Sequence, residues 1–250
     1  MDELIAGYRR FVKEVYPAQM AHFQSLRANQ KPHTLFITCS DSRVDPLTIT
    51  QSEPGDLFIC RVVGNLVPAH GAAPGGVTSA IEYAVRVLGV KNVIVCGHSD
   101  CGAMRAFAHP EKLASLPAVE SWLEHASTAI SLSKRLHWQL PEEEFVERLI
   151  QENVVSQLQH LRTHPSVALG LREGSLSIGG WHYRIAEGLV TRYDEEGSKF
   201  VPLDTGFHDA PEAKAGKLYR STTEKAAKQS LPKKAAKKSG RTKSTATVSK

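Results

Sequence analysis

Asn92-Val-Ile-Val-Cys96-Gly-His-Ser-Asp-Cys-Gly102 is the stretch on which the fold turns. Three β-formers and a cysteine give way abruptly to glycine and polar residues, the pattern of a buried strand that ends in a strand-to-helix turn. Working back along the chain, Val77, Ala80, Ile81, Ala84, Val85 and Leu88 repeat at helical spacing, with Gly75-Gly76 before them and Gly89 after. Further upstream lie two more short apolar runs bounded by polar or turn residues, Asp56-Leu-Phe-Ile-Cys-Arg61 and Thr34-Leu-Phe-Ile-Thr38. Strand, helix, strand is a βαβ unit, so the three runs predict buried parallel strands in an α/β fold.

Outside this centre, residues 4–16 place Leu4, Ile5, Tyr8, Phe11, Val12, Val15 and Tyr16 on one helical face. Pro17 then interrupts before a second helical stretch ending near Asn29. Helical patterns return at about 119–136 and 142–163. Ser175–Tyr183 and Gly188–Tyr193 read as two further strands joined by a turn, an antiparallel pair. From about Glu212 onward Ala, Lys, Ser and Thr replace the large apolar residues, which leaves nothing to offset the entropy of ordering the segment. The expected organisation is one catalytic domain over residues 1–211 and a disordered basic tail over 212–250.

The net charge of +5 belongs to that tail, where residues 220–250 hold ten Lys or Arg against Glu224 alone. The rest of the chain is net acidic, so its high pI says nothing about the folded surface. Two roles fit the tail's composition: a solvated extension, or weak contact with anions or nucleic acid. Interleaved aromatics for base stacking are missing. The N-terminal stretch has no uninterrupted apolar segment, which predicts neither a secretory signal nor a membrane span. Four cysteines are too few for a disulfide scaffold and suit a reduced compartment. The expected location is cytoplasmic.

Chemistry concentrates at two strand ends. Cys39-Ser-Asp-Ser-Arg43 follows the first strand, and His98 and Cys101 follow the third. First and third strands of such a sheet are often neighbours where the connections diverge, and ligands bind in the crevice there. Cys39, His98 and Cys101 together offer two thiolates and an imidazole, a set suited to tetrahedral Zn²⁺ with its fourth position open. Cys60 and Cys96, flanked by Val or Ile within strands, read instead as small core residues. Asp41 and Arg43 alternate beside Cys39 and can face the same side, Arg43 holding Asp41 ionised as a bidentate partner.

These residues resemble the beta-class carbonic anhydrases. Cys39-Ser-Asp-Ser-Arg43 and Gly97-His-Ser-Asp-Cys-Gly102 carry the likeness, supported by Arg61-Val-Val-Gly-Asn-Leu-Val-Pro68, Gly75-Gly-Val77, Ile81-Glu-Tyr-Ala84 and Gly180-Trp181. The resemblance covers about residues 1–205. It implies a mostly parallel five-stranded sheet with four parallel strands and one antiparallel, N-terminal helices wrapped over a partner subunit, and a homodimer as the minimum assembly. It implies one zinc per subunit on Cys39, His98 and Cys101, with Asp41 and Arg43 as the catalytic dyad. The implied reaction is reversible hydration of carbon dioxide to bicarbonate by attack of zinc-bound hydroxide. Gln30, Phe58, Val63, Tyr83 and Gly102 match the substrate pocket, with Gln30 reaching in from the neighbouring subunit. Carbonyl sulfide or carbon disulfide hydrolysis on the same metal site is the alternative reading. One subgroup of the family lets the counterpart of Asp41 close onto zinc under control of a bicarbonate pocket built from Trp, Arg and Tyr. Arg61 and Tyr183 match that pocket, but Phe36 stands where Trp is expected and Thr38 where a small Gly is expected. The expected type is therefore constitutively open.

Overall fold

A computed structural model describes residues 1–72 and 75–203. The expected domain limit at 211, and the tail 212–250 with its anion contacts, lie outside the described residues. A six-stranded sheet organises the rest: β1 (Thr34–Thr38), β2 (Leu57–Arg61), β3 (Asn92–His98), β4 (Ser177–Arg184), β5 (Leu189–Asp194) and β6 (Lys199–Pro202). The spatial order is β2-β1-β3-β4-β5-β6. β2, β1, β3 and β4 run parallel and β5 antiparallel to β4, as expected. β6 extends the expected five strands, pairing antiparallel with β5 after a four-residue turn. Only Phe200 and Val201 are apolar in it, and Pro202 closes it at the edge, where a missing N–H costs nothing.

The chain leaves β1 toward β2 on one side and leaves β3 toward β4 on the other. β1 and β3 are neighbours, with Thr38 opposite Cys96, so a crevice opens at their C-terminal ends. Every residue of β1 is buried, which explains its continuous apolar run. On one sheet face Leu35, Ile37, Val93 and Val95 pack against Val77, Ile81 and Ala84 of the crossover helix. That helix runs Gly76–Tyr83, continues as a wider π-turn over Ala84–Leu88, and stops at Gly89 in the left-handed region (φ 66).

The long helix Glu142–Arg162 lies across β3 and β4, close enough that a Cβ on Gly97 or Gly180 would meet Val154 at 2.7 Å. Side-chain-free positions on two adjacent strands are what admit the helix. Three acidic residues in its first turn and His160 and Arg162 in its last suit the helix dipole. Sequence periodicity did not separate the helices Pro46–Thr50 and Pro165–Arg172, which are too short to show a repeat. The N-terminal arm is helical over Asp2–Arg10, continues as a π-turn over Phe11–Val15 and through Tyr16–Ala18, and resumes at Met20–Ser25. The break therefore falls at Gln19 and not at the expected Pro17, which the wider turn before it accommodates. Leu4 and Tyr8 are 74% and 66% exposed, so the described residues do not cover that apolar face. Among the described residues no helix is long and apolar enough to cross a membrane.

Candidate metal centre

The two strand ends deliver their side chains to one point. The sulfurs of Cys39 and Cys101 and a ring nitrogen of His98 all lie within 4.8 Å of one another, and all three residues are buried. A tetrahedral zinc with Zn–S bonds of about 2.3 Å would hold its sulfurs about 3.8 Å apart, a spacing this cage accommodates. His98 is oriented from behind: Nδ1–H donates to the Ser99 carbonyl at 2.9 Å, leaving the Nε2 lone pair to face the sulfurs. That Nε2 is buried without a hydrogen-bond partner. An orphaned acceptor beside two thiols is costly unless a cation occupies the point they share, so the donor set fits a borderline-soft metal.

The thiols divide into two kinds. Cys39 is held well below the usual thiol range by the neighbouring Cys101, with help from His98 and the backbone N–H groups of Asp41 and Gly64, the last 3.4 Å from the sulfur. Cys101, facing Cys39 and buried, is held up in turn. A divalent cation bound there would displace any thiol proton the pair still held. Cys96, by contrast, is pushed up to about 12 by burial, as a core position requires, whereas Cys60, expected in the core, is only half-buried on the edge strand β2, though burial still raises it. All four cysteines are free thiols.

Asp41 stands at the mouth of the cage, Oδ2 lying 3.9 Å from His98 Nε2. Arg43 grips it in a fork, Nε donating to Oδ1 at 3.0 Å and Nη2 to Oδ2 at 2.8 Å, while the Arg43 backbone N–H also donates to Oδ1. The guanidinium holds the Asp41 carboxyl well below the usual carboxylate range. Arg61 Nη2 donates to the Asp41 carbonyl at 2.6 Å, so its head group is used on the Asp41 backbone. Phe36 packs edge-on against Trp181 with ring centroids 5.7 Å apart, and the buried Thr38 hydroxyl donates to the Cys96 carbonyl.

The remaining candidates scatter. Gly102 follows Cys101 directly and has nothing within 4 Å of where its Cβ would lie, leaving that side of the cage approachable. Val63 sits in the turn after β2, 40% exposed, its carbonyl accepting from Trp122 Nε1. Phe58 and Tyr83 form an aromatic pair with centroids 6.0 Å apart. Phe58 is opposite Leu35, four residues before Cys39, or about 13 Å along the strand at 3.3 Å per residue. Gln30 is exposed and precedes β1 at the opposite end from Cys39. One chain thus gathers the metal cage and the dyad but not Gln30, Phe58 and Tyr83.

Two supporting groups carried no sequence signal. On the long helix, Asn153 Nδ2 donates to the Gly64 carbonyl and to Asn153 Oδ1 comes a bond from Gln157 Nε2, while Gln157 Oε1 accepts the Val67 N–H. These buried amides fix the turn whose Gly64 N–H points at the Cys39 sulfur. Asp100 and Arg105 form the second group, flanking Arg43. Amides in an otherwise amphipathic helix read as ordinary surface positions until the packing is known.

Comparison with known proteins gives one family. A family profile described as carbonic anhydrase matches residues 34–190. The chain is 47% identical over 203 residues to a carbonic anhydrase of Pseudomonas aeruginosa, covering 81% of this chain and 92% of that one. Among solved structures it is similar to the beta-carbonic anhydrase CcaA, with 42% identity, a TM-score of 0.80, and coverage of 82% of this chain and 93% of that one. It is also similar to tetrameric beta-carbonic anhydrases from the ascomycete Sordaria macrospora, with 29% identity, a TM-score of 0.61, and coverage of 76% and 92%.

Proposed function

The chain belongs to the beta-class carbonic anhydrases, and from that premise we propose that it catalyses reversible hydration of carbon dioxide on one zinc ion per chain. The observation that carries the reading is the convergence of Cys39, His98 and Cys101 around an orphaned imidazole nitrogen, with the Asp41–Arg43 pair at its mouth. Cys39, His98 and Cys101 would hold the metal. Zinc, when bound, supplies a Lewis acid that lowers the pKa of water at its open position toward neutrality, carbonic anhydrase being itself the standard illustration of that effect.

The chain's own groups do the rest. Asp41 Oδ2 accepts a hydrogen bond from the reacting water and so aims its lone pair at carbon dioxide. Arg43 keeps that carboxylate ionised and off the metal, which is the constitutively open arrangement. The commitment of Arg61 to the Asp41 carbonyl and the filling of the Phe36–Thr38 region by aromatic and hydroxyl packing support this type over the bicarbonate-switched one. Gln30, Phe58, Val63, Tyr83 and Gly102 form the substrate pocket, completed across an interface between copies. The uncovered N-terminal face and the tetrameric relatives support a homo-oligomer. The reduced thiols support a cytoplasmic setting.

Turnover of carbon dioxide and of carbonyl sulfide by the purified protein tests the assignment. Rapid carbon dioxide hydration with negligible carbonyl sulfide hydrolysis is expected; the reverse ranking overturns it.

A further inference from the structure

A carboxylate beside a metal cage competes for the open position unless something restrains it. Among the described residues, every side-chain hydrogen bond of Asp41 comes from Arg43. Arg43 is itself 45% exposed on a long side chain, and a lone exposed ion pair restrains little. Its outer edge, however, is held by a second carboxylate from the other ligand loop. Nη1 donates to Asp100 Oδ2 at 3.2 Å and Nη2 to the Asp100 carbonyl at 3.1 Å. Asp100 is gripped in turn by Arg105, through Nη2 at 2.8 Å and Nε at 3.2 Å to Oδ1. Arg105 then bonds Glu143 and Glu142 at the start of the long helix.

The charges alternate along this line, Asp41, Arg43, Asp100, Arg105, Glu142 and Glu143, from the mouth of the cage to a helix anchored in the core. Such a network fixes a guanidinium where a single pair does not. It also joins the loop after β1, which carries Cys39, to the loop after β3, which carries His98 and Cys101. Asp100 has φ 54, in the left-handed region that favours glycine. Aspartate is among the few side chains that tolerate it, and its carboxylate is placed by that turn between Arg43 and Arg105.

We propose that Asp100, anchored by Arg105, is a positioning residue that pins Arg43 and so keeps Asp41 from occupying the metal's fourth position. The inference rests on the metal reading given above.

Cobalt bound to the full chain reports on that position, because its visible spectrum shifts when a small anion such as thiocyanate binds there. Releasing Arg43 lets Asp41 compete with thiocyanate, so Asp100→Gly is expected to weaken thiocyanate binding about tenfold and Asp100→Asn by less. Arg105→Gln, which leaves the backbone at residue 100 untouched, shifts it in the same direction. With Asp41→Ala as background the residue at 100 ceases to matter, since the competitor is gone. Simple loss of a negative charge predicts the opposite sign, tighter anion binding, and a purely conformational role predicts unchanged thiocyanate affinity in the Asp100→Gly protein. Either result, with cobalt bound, overturns the inference alone. A wild-type chain that takes up no cobalt overturns the metal reading, and the inference with it.

Discussion

The crevice at the ends of β1 and β3 and the surface around Gln30, Phe58 and Tyr83 are built to different degrees by one chain. In the crevice every group is buried or bonded: Cys39, His98 and Cys101 converge, Arg43 grips Asp41, and the amides of Asn153 and Gln157 brace the Gly64 turn from behind. At the other surface Gln30 and Tyr83 are exposed, and the apolar N-terminal arm has no cover among the described residues. The difference teaches that chemistry and substrate enclosure are separable here. The metal cage is a property of the fold, and we propose that the pocket is a property of the assembly.

The largest expected effect breaks the first half of that comparison. Cys39→Ser should lose bound zinc and lower carbon dioxide hydration more than about a hundredfold, beyond what loss of an outer partner costs. Cys96→Ala, at a buried thiol pushed up to about 12, should keep one zinc per chain. Metal content and hydration rate measured on both variants decide it; equal losses would mean the two cysteine classes are not distinct.

Asn153→Ala sharpens the claim that the cage is braced from within. It leaves the Gly64 carbonyl and Gln157 Nε2 short of a partner, which should cost about 1–3 kcal/mol in denaturant unfolding. The same variant should weaken zinc binding about tenfold, as removal of an outer partner does. An unchanged zinc affinity would detach the helix from the cage.

The second half of the comparison is tested on the arm. Leu4→Ser with Tyr8→Ser removes two exposed apolar side chains and should raise the concentration at which the assembly dissociates, by about thirtyfold for about 2 kcal/mol of lost burial. Sedimentation reads the assembly, and zinc stoichiometry should stay unchanged. An assembly insensitive to both changes would place the interface elsewhere.

The smallest effect concerns acid. His182 is buried near Glu147 Oε1 at 3.5 Å, yet burial pushes it down to about 4, so the desolvation cost outweighs that pairing. The unfolded chain, with imidazole near 6.5, therefore takes up the proton first as pH falls. Stability should be full above pH 6.5 and decline toward pH 4, with a loss of about 1–2 kcal/mol by pH 5. His182→Gln should flatten that slope in thermal unfolding; an unchanged slope would assign the acid sensitivity to other groups.

The sequence was most informative where burial imposes a simple pattern. β1 is covered on both faces and reads as an unbroken apolar run, and the crossover helix shows its period and its glycine stop. Cys39, His98 and Cys101 were legible because each sits where an apolar strand yields to glycine and polar residues. β6 was not, because two apolar residues between Lys199 and Pro202 make no period. Asn153, Gln157, Asp100 and Arg105 were hidden for a different reason. The partners that tie them to the site, Gly64, Val67, Arg43 and Glu142, lie 37 to 90 residues away, and single-chain spacing carries no trace of such meetings.

We propose that metal held in the cage of Cys39, His98 and Cys101 drives hydration of carbon dioxide by this chain. Stopped-flow carbon dioxide hydration on the full chain, titrated from metal-depleted to zinc-replete, tests it most directly. The rate should rise in proportion to zinc and saturate at one ion per chain. A zinc-replete protein without hydration activity, or full activity in the depleted one, would contradict it.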